Sequence, residues 1–496
     1  MQEKSTKPAK LATRLCPDRA QALIGEILYK WEREKEMSYE KLNEKILEMK
    51  DEMFDTIREN VAICSVKGEP EEDAPYGREV KRALDHLLSV GEKMGFKTGN
   101  VDNRVGWIEY GEGEEMVGVL GHVDVVPLGE GWNYDPLGCE IHDGKMYGRG
   151  VQDDKGPTIG AVYALKAIRD LGLPIDRRIR VLFGCDEESG SSCVEHYIKV
   201  GEELPTIGFT PDAQFPAIFC EKGQTFWDVS KKVENPSSIK VLSIEGGMAK
   251  NVVTPKCTLV AEGELKVEEK DYITVEKKDG KTIVTCEGIS AHGSTPEQGA
   301  NAAIRLFEAL KENNFGGDLQ TMINFLMEKI GYETNGEKLG IASTDEETGS
   351  TTVNLGMISC DEEKLSFTLD IRYPNSTTEE HVVKNVKENV EAYGLVPEVE
   401  THSLLYVPTE SELVQKLMKV YQEQTGDMEA EPIAIGGGTY AKSFDNMVAY
   451  GPIFPGEEEV IHAPNEFANM DNLVRSIQIS AAAMYELAQK VVSSEL

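Results

Sequence analysis

The sequence predicts an α/β protein, a doubly wound mixed sheet carrying an inserted α+β domain. Three observations predict it. Short apolar runs bounded by turn residues recur at Met116–Leu120, Arg180–Gly184 and Ile207–Thr210, and each has the look of a buried parallel strand. Amphipathic helical stretches alternate with them, as a doubly wound sheet requires. From about Thr225 to Pro408 the pattern changes to short alternating runs of antiparallel type, returning to helices afterwards.

In chain order, residues 1–35 form a charged N-terminal extension in which only Gln21–Arg33 has helical spacing. Tyr39–Asn60 and Arg78–Met94 read as surface helices, separated by an acidic loop, Gly68–Tyr76. Val105–Tyr110 alternates as a strand. The Met116 strand runs into Gly121-His122-Val123-Asp124, and a glycine-rich loop then leads to Gly148-Arg149-Gly150 and Asp153-Asp154-Lys155-Gly156. Gly156–Leu171 is helical, with Ile159, Val162, Leu165 and Ile168 on one face. The next strands end in Asp186-Glu187-Glu188, in Pro211-Asp212 and, for Ala217–Cys220, in Glu221.

In the inserted domain, Thr282–Glu287 and Leu365–Tyr373 read as strands, while Pro296–Asn313, Leu319–Lys329 and Thr378–Tyr393 read as helices. After Pro408 come a helix at Glu410–Gln424, the run Gly436-Gly437-Gly438-Thr439, and Val460-Ile461-His462-Ala463-Pro464. A last helix follows, with Asp471 as its cap and a stripe of Leu473, Ile477, Ala481, Met484, Leu487 and Val491. The domains are therefore drawn as 36–224 with 409–496, and 225–408.

Composition excludes several classes. Against 52 basic residues stand 87 acidic ones, a net charge of -35, which disfavours nucleic acid and anionic membrane as partners. Nine scattered cysteines form no disulfide framework and fit a reducing cytoplasm. No apolar run has the length of a membrane span.

The chemistry lies where strands end. His122, Asp153, Glu188, Asp212 and His462, with Glu187 beside them, are the donor types that suit two borderline divalent ions. Two histidines, two terminal carboxylates and one shared carboxylate give each ion three ligands and leave a position for water. Glu187 and Glu188 are neighbours and can divide ligation from proton transfer. Asp124, two residues after His122, is suited to hold the other ring nitrogen.

The motifs HVDVVP, GRGVQDDKG, DEESG, TPDAQFP, SAHGSTPE, IRYP and GGGTYAK resemble those of the dinuclear metallopeptidases that include carnosinases, aminoacylases and carboxypeptidase G. Within that family the resemblance is to the bacterial dipeptidases of the peptidase V type, and it covers most of the chain from about residue 40. It implies that His122 and Asp212 bind one ion, Glu188 and His462 the other, and that Asp153 bridges them through a cis Asp153–Asp154 bond. It also implies Asp124 as the orienter of His122, Glu187 as general base, and His292 as the group that steadies the oxyanion. Arg372 would clamp a substrate carboxylate, with Gly438, Thr439 and Asn251 lining the substrate pocket. The ions would be zinc, with manganese or cobalt as alternatives, and the substrate an unblocked dipeptide. The long insertion resembles the enlarged lid of monomeric members. Removal of an N-acyl group from an amino acid, or metal binding without catalysis, are the rival readings.

Overall fold

The computed structural model describes residues 38–490. The N-terminal extension, its helical stretch Gln21–Arg33 and Val491 of the last apolar stripe lie outside the described residues. The chain divides into two compact units. Among the described residues one comprises 38–218, Val407–Pro432 and 439–490; the other comprises Phe219–Tyr406 and Ile433–Gly438.

The first unit is built on a mixed sheet. Its strands lie in the order Lys97–Val101, Val105–Tyr110, Arg178–Gly184, Met116–His122, Ile207–Thr210 and Met447–Tyr450. The last four are mutually parallel, whereas the first two join antiparallel at one edge. Every residue of Met116–His122, Arg178–Gly184 and Ile207–Thr210 is buried, which is why these segments read as continuous apolar runs rather than alternating ones. Parallel pairing sets His122 opposite Gly184 and Val119 opposite Phe209. The carboxyl ends of three neighbouring strands therefore open on one side of the sheet, the side where α/β sheets bind ligands.

Helix Lys155–Asp170 packs on this sheet and against the last helix, Met470–Ala488. The two helices approach closely at Gly160, where a Cβ would lie 2.4 Å from Ile477 Cγ1. The last helix is capped by Asn469, not by the expected Asp471. The Asn469 side chain accepts from the amides of Asp471 and Asn472, and Asp471 is one of the donors it satisfies.

The second unit carries an antiparallel eight-stranded sheet. Its order is Ile273–Lys278, Lys281–Glu287, Lys256–Glu262, Val241–Gly246, Thr352–Cys360, Lys364–Tyr373, Gly223–Lys232 and Val396–His402. Trp227, Leu259, Val284, Leu355, Phe367, Leu369 and Ile371 face a core closed by helices Ala302–Ala309, Gly317–Phe325 and Glu379–Ala392. Alternation along the strands sends Gln224, Thr352, Asn354, Asp370 and Arg372 to the opposite face.

The helix expected over Pro296–Asn313 is split. A single 3₁₀ turn, Pro296–Gln298, precedes Ala302–Ala309, whose cap is Asn301. Between them Ile289 and Ala300 exchange backbone hydrogen bonds of 2.9 Å in both directions. That β-type pairing keeps Gly299 and Ala300 extended, against the helical spacing of their neighbours.

Candidate metal centre

His122 closes its strand at full burial. Its Nδ1 lies 3.0 Å from the backbone carbonyl of Asp124 and 3.5 Å from that residue's Oδ1. A carbonyl only accepts, so Nδ1 carries a hydrogen and Nε2 is the nitrogen turned into the site. Nε2 is 3.1 Å from Asp153 Oδ1 and 3.6 Å from Asp212 Oδ2. On the other side, His462 Nε2 is 2.9 Å from Asp153 Oδ2 and 3.0 Å from Glu188 Oε2. The two oxygens of Asp153 thus face different imidazoles, the disposition of a carboxylate shared between two cations. The Asp153–Asp154 bond is cis, as the resemblance implied.

The five expected ligands are therefore brought together. Two sets of donor atoms each lie mutually within 4.8 Å, His122 with Glu187 and Asp212, and His122 with Asp153 and Glu188. The donor set fits divalent cations of the zinc, manganese and cobalt kind.

The electrostatics agree with the donor chemistry. Burial, then the charge of Asp153, pushes Asp212 up to about 6. Burial, then Asp212, pushes Glu187 well above the ordinary carboxylate range. Burial alone would lower His122, but hydrogen bonds to Asp124, Asp153 and Asp212 outweigh it and raise it. Hydrogen bonds to Asp153 and Glu188 lift His462 to about 11. Burial would raise Asp153 as well, but hydrogen bonds to His122 and His462 outweigh it and lower it; raised carboxylates beside raised imidazoles mark a pocket crowded with acidic groups.

Several groups inside the quoted motifs, only Asp124 among them given a role beforehand, build the frame. Asp124, 1% exposed, accepts the amides of Glu187 at 3.1 Å and Glu188 at 3.2 Å through its carboxylate. It holds the tandem glutamates as well as the histidine. The preceding Asp186 accepts from Lys67 Nζ at 2.7 Å and Ser189 Oγ at 2.6 Å, and also from Ser192 Oγ, which fastens the same turn. Asp154 Oδ2 accepts from the His122 amide at 3.1 Å and from Thr158 Oγ1 at 2.6 Å. Gly121 makes room for this contact, since a Cβ there would sit 1.9 Å from Thr158 Oγ1. Tyr440, buried, stands edge-on to His122 at 6.2 Å and bonds Cys193 Sγ at 2.8 Å. The i, i+4 spacing of Asp154 and Thr158 was the one local signal among these.

The remaining expected residues fall mainly in the second unit. Val252 bridges to His292, and the Gly293 amide donates to the Asn251 carbonyl at 2.7 Å, so Asn251 and His292 are neighbours. His292 Nδ1 lies 2.7 Å from Ser294 Oγ. Arg372 is 3% exposed. Its ion pair is with Asp370 on its own strand, Nη2 to Oδ2 at 2.9 Å, and its Nη1 donates to the Gly436 carbonyl at 2.6 Å. Gly436 therefore presents a carbonyl at this point. Gly438 is exposed, and Thr439, in the first unit, caps the following turn through Ala441 N at 3.2 Å. The histidines outside any motif have local partners: His142 stacks on Tyr134 at 4.0 Å, and His196 meets Asp102 at 2.9 Å.

Comparison with known proteins agrees with these features. The family described as "Peptidase family M20/M25/M40" has a model that matches residues 118–486. A Bacillus subtilis (strain 168) protein named "Putative dipeptidase YtjP" is 38% identical over 464 residues, covering 90% of this chain and 99% of its own. "Putative dipeptidase SH1171" of Staphylococcus haemolyticus (strain JCSC1435) is 34% identical over 464 residues, covering 90% and 98%. Human carnosine dipeptidase 1 shares the fold with a TM-score of 0.54 at 18% identity, over 91% of this chain and 99% of its own. Aminoacylhistidine dipeptidase from Vibrio alginolyticus does so with a TM-score of 0.52 at 15% identity, over 88% and 97%.

Proposed function

Because the chain belongs to peptidase family M20/M25/M40 and is a metal-dependent peptide-bond hydrolase, we propose that it cleaves unblocked dipeptides with the help of two divalent cations. The observation that carries the reading is Asp153, whose two oxygens face His122 and His462 at 3.1 and 2.9 Å. The names of the relatives support the small peptide substrate.

In this reading His122 and Asp212 would hold one cation and Glu188 and His462 the other, with Asp153 serving both. When bound, such cations supply Lewis acidity and make water acidic near neutral pH. Glu187 takes a proton from the attacking water and passes it to the leaving amine as the C–N bond breaks. Its carboxyl is raised by burial and by Asp212, the direction needed by a base that must next act as an acid. Asp124 keeps Glu187 and Glu188 at their stations. His292, with Asn251 beside it, steadies the oxyanion. Arg372, held by Asp370, reads the free carboxylate of the substrate, and Gly438 and Thr439 are further substrate-binding residues in this reading.

The donor set favours zinc, with manganese and cobalt next. The reading includes a monomer in the cytoplasm. The eight cysteines among the described residues are free thiols, which fits a reducing compartment, and no described helix is long and apolar enough to cross a membrane.

The test is hydrolysis of a panel holding free dipeptides, a β-alanyl dipeptide, a tripeptide and N-acyl amino acids. Each is assayed after chelation and again after zinc, manganese or cobalt is restored. Metal-restored cleavage confined to unblocked dipeptides is expected. Cleavage of the N-acyl compounds instead makes the protein a deacylase, and no cleavage with any metal removes the catalytic reading.

A further inference from the structure

We propose that the buried pair Arg149–Glu466 is the clasp that sets the metal-ligating segments of the first unit in register, so that both are positioning residues of the metal centre. The proposal rests on the two-cation reading above. Neither residue ligates in that reading. Both are almost fully enclosed, Arg149 at 1% and Glu466 at 0% exposure, and a buried charge persists only when it is paired and hydrogen-bonded.

Their partners show what the pair is for. Glu466 Oε1 accepts three backbone amides, Gly150 at 3.0 Å, Gln152 at 3.1 Å and Asp153 at 3.3 Å. The carboxylate thus folds the loop that presents Asp153 and holds Asp153 by its own amide. Glu466 Oε2 takes Arg149 Nη1 at 2.8 Å. Arg149 Nη2 then reaches three carbonyls on two further segments: Pro127 at 3.5 Å and Leu128 at 3.4 Å, just after the His122 strand, and His462 itself at 3.4 Å. His462 has φ of 61°, a left-handed conformation that a side-chain-bearing residue keeps only when its surroundings impose it.

The clasp is itself anchored. The Gly148 amide donates to the Glu466 carbonyl at 3.0 Å, and the next residues, Phe467–Asn469, pair antiparallel with Lys145–Tyr147. Three segments, the one that follows the His122 strand at Pro127–Leu128, the loop that ends in Asp153 and the one that carries His462, therefore meet on one ion pair. Groups of this kind around metal ligands typically change metal affinity about 10- to 100-fold when replaced.

The test uses the full chain, stripped of metal and titrated with zinc alone against a chelating indicator. Two variants are compared with the native protein. Glu466→Gln keeps the shape, but an amide nitrogen must face either the three N–H donors or Arg149. Arg149→Lys keeps the charge, but its single ammonium cannot span Glu466 and the three carbonyls. The native chain is expected to bind two zinc ions. Each variant is expected to bind them about 10- to 100-fold more weakly, with kcat lowered and KM for a dipeptide within about twofold, since no substrate contact is touched. Native-like zinc affinity in either folded variant overturns the proposal, even if that variant is less stable to urea. A native chain that binds no zinc overturns the two-cation reading instead, and is distinguished by that result.

Discussion

Replacing Asp124 with asparagine removes a charge and almost no volume, at a residue 1% exposed. Its carboxylate accepts two backbone amides, Glu187 N at 3.1 Å and Glu188 N at 3.2 Å. Hydrogen bonds to a charged acceptor are worth about 1.5–3 kcal/mol each, against about 0.5–1.5 kcal/mol for neutral pairs, so Asp124→Asn loses about 2–3 kcal/mol over the two. Asparagine has only one accepting oxygen, and the amide left facing its NH₂ group costs about 1–3 kcal/mol more. The turn carrying Glu187 and Glu188 is then looser by about 3–6 kcal/mol, roughly 10²- to 10⁴-fold in local opening. Hydrogen exchange of the segment Cys185–Ser189, followed by mass spectrometry on the metal-free protein, reads this directly. Turnover of the zinc-loaded variant should fall at least about tenfold, because Glu187 hangs from the same carboxylate. Exchange within about threefold of the native rate would refute the reasoning, since Asp124 would then act on the histidine ring alone.

Metal loading should release protons. Hydrogen bonds to Asp153 and Glu188 push His462 up to about 11, and those to Asp124, Asp153 and Asp212 raise His122 as well. Both folded values lie above the unfolded value near 6.5, so the stabilisation they give is complete below about pH 6.5 and is lost as pH rises through their folded values. A cation must displace these protons, so zinc binding at about pH 7.5 should liberate about two per chain and tighten as pH rises. A pH-stat titration that finds less than about one contradicts the protonated pair. Asp370→Asn should raise KM about tenfold for a free dipeptide, by loosening Arg372, and leave a dipeptide amide unaffected; equal effects on both substrates would remove Arg372 from carboxylate recognition. Gly160→Val should lower first-unit stability by about 1–3 kcal/mol through collision with Ile477, read as a fall in thermal midpoint with kcat retained at room temperature.

Much of this architecture is legible in local sequence, and the illegible part has one cause. The strands at Val105–Tyr110 and Ile207–Thr210 and the helix Arg78–Met94 occupy the expected residues, because burial on both faces or on one stripe writes itself into short windows. The gathering of His122, Glu188 and Asp212 was legible for a related reason, since parallel strands ending together place whatever follows each strand on one side. Glu466 was not legible. Its partners lie more than 300 residues away in the chain, and no window holds both ends of the clasp. Asp124 was read as the partner of a ring, but its two amide bonds depend on a turn about 63 residues later. Arg372 has its acid two residues away, yet strand alternation had to be fixed before Asp370 became a same-face neighbour. Pro296–Asn313 misled because helical spacing is a local signal, while the Ile289–Ala300 pairing that interrupts it is not.

The second unit is sewn from two pieces of chain, and this bears on how the protein can be recombined. Ile433–Gly438 belongs to it although it follows Tyr406 only after the intervening stretch Val407–Pro432. Within the unit, Lys222 donates its amide to the Ile435 carbonyl, and Gly436 supplies the carbonyl that meets Arg372. A chimaera made with a relative by exchanging Phe219–Tyr406 alone would leave the six-residue thread from the old parent against an arginine from the new one. Crossovers between such proteins preserve the arginine's seat only when both pieces travel together.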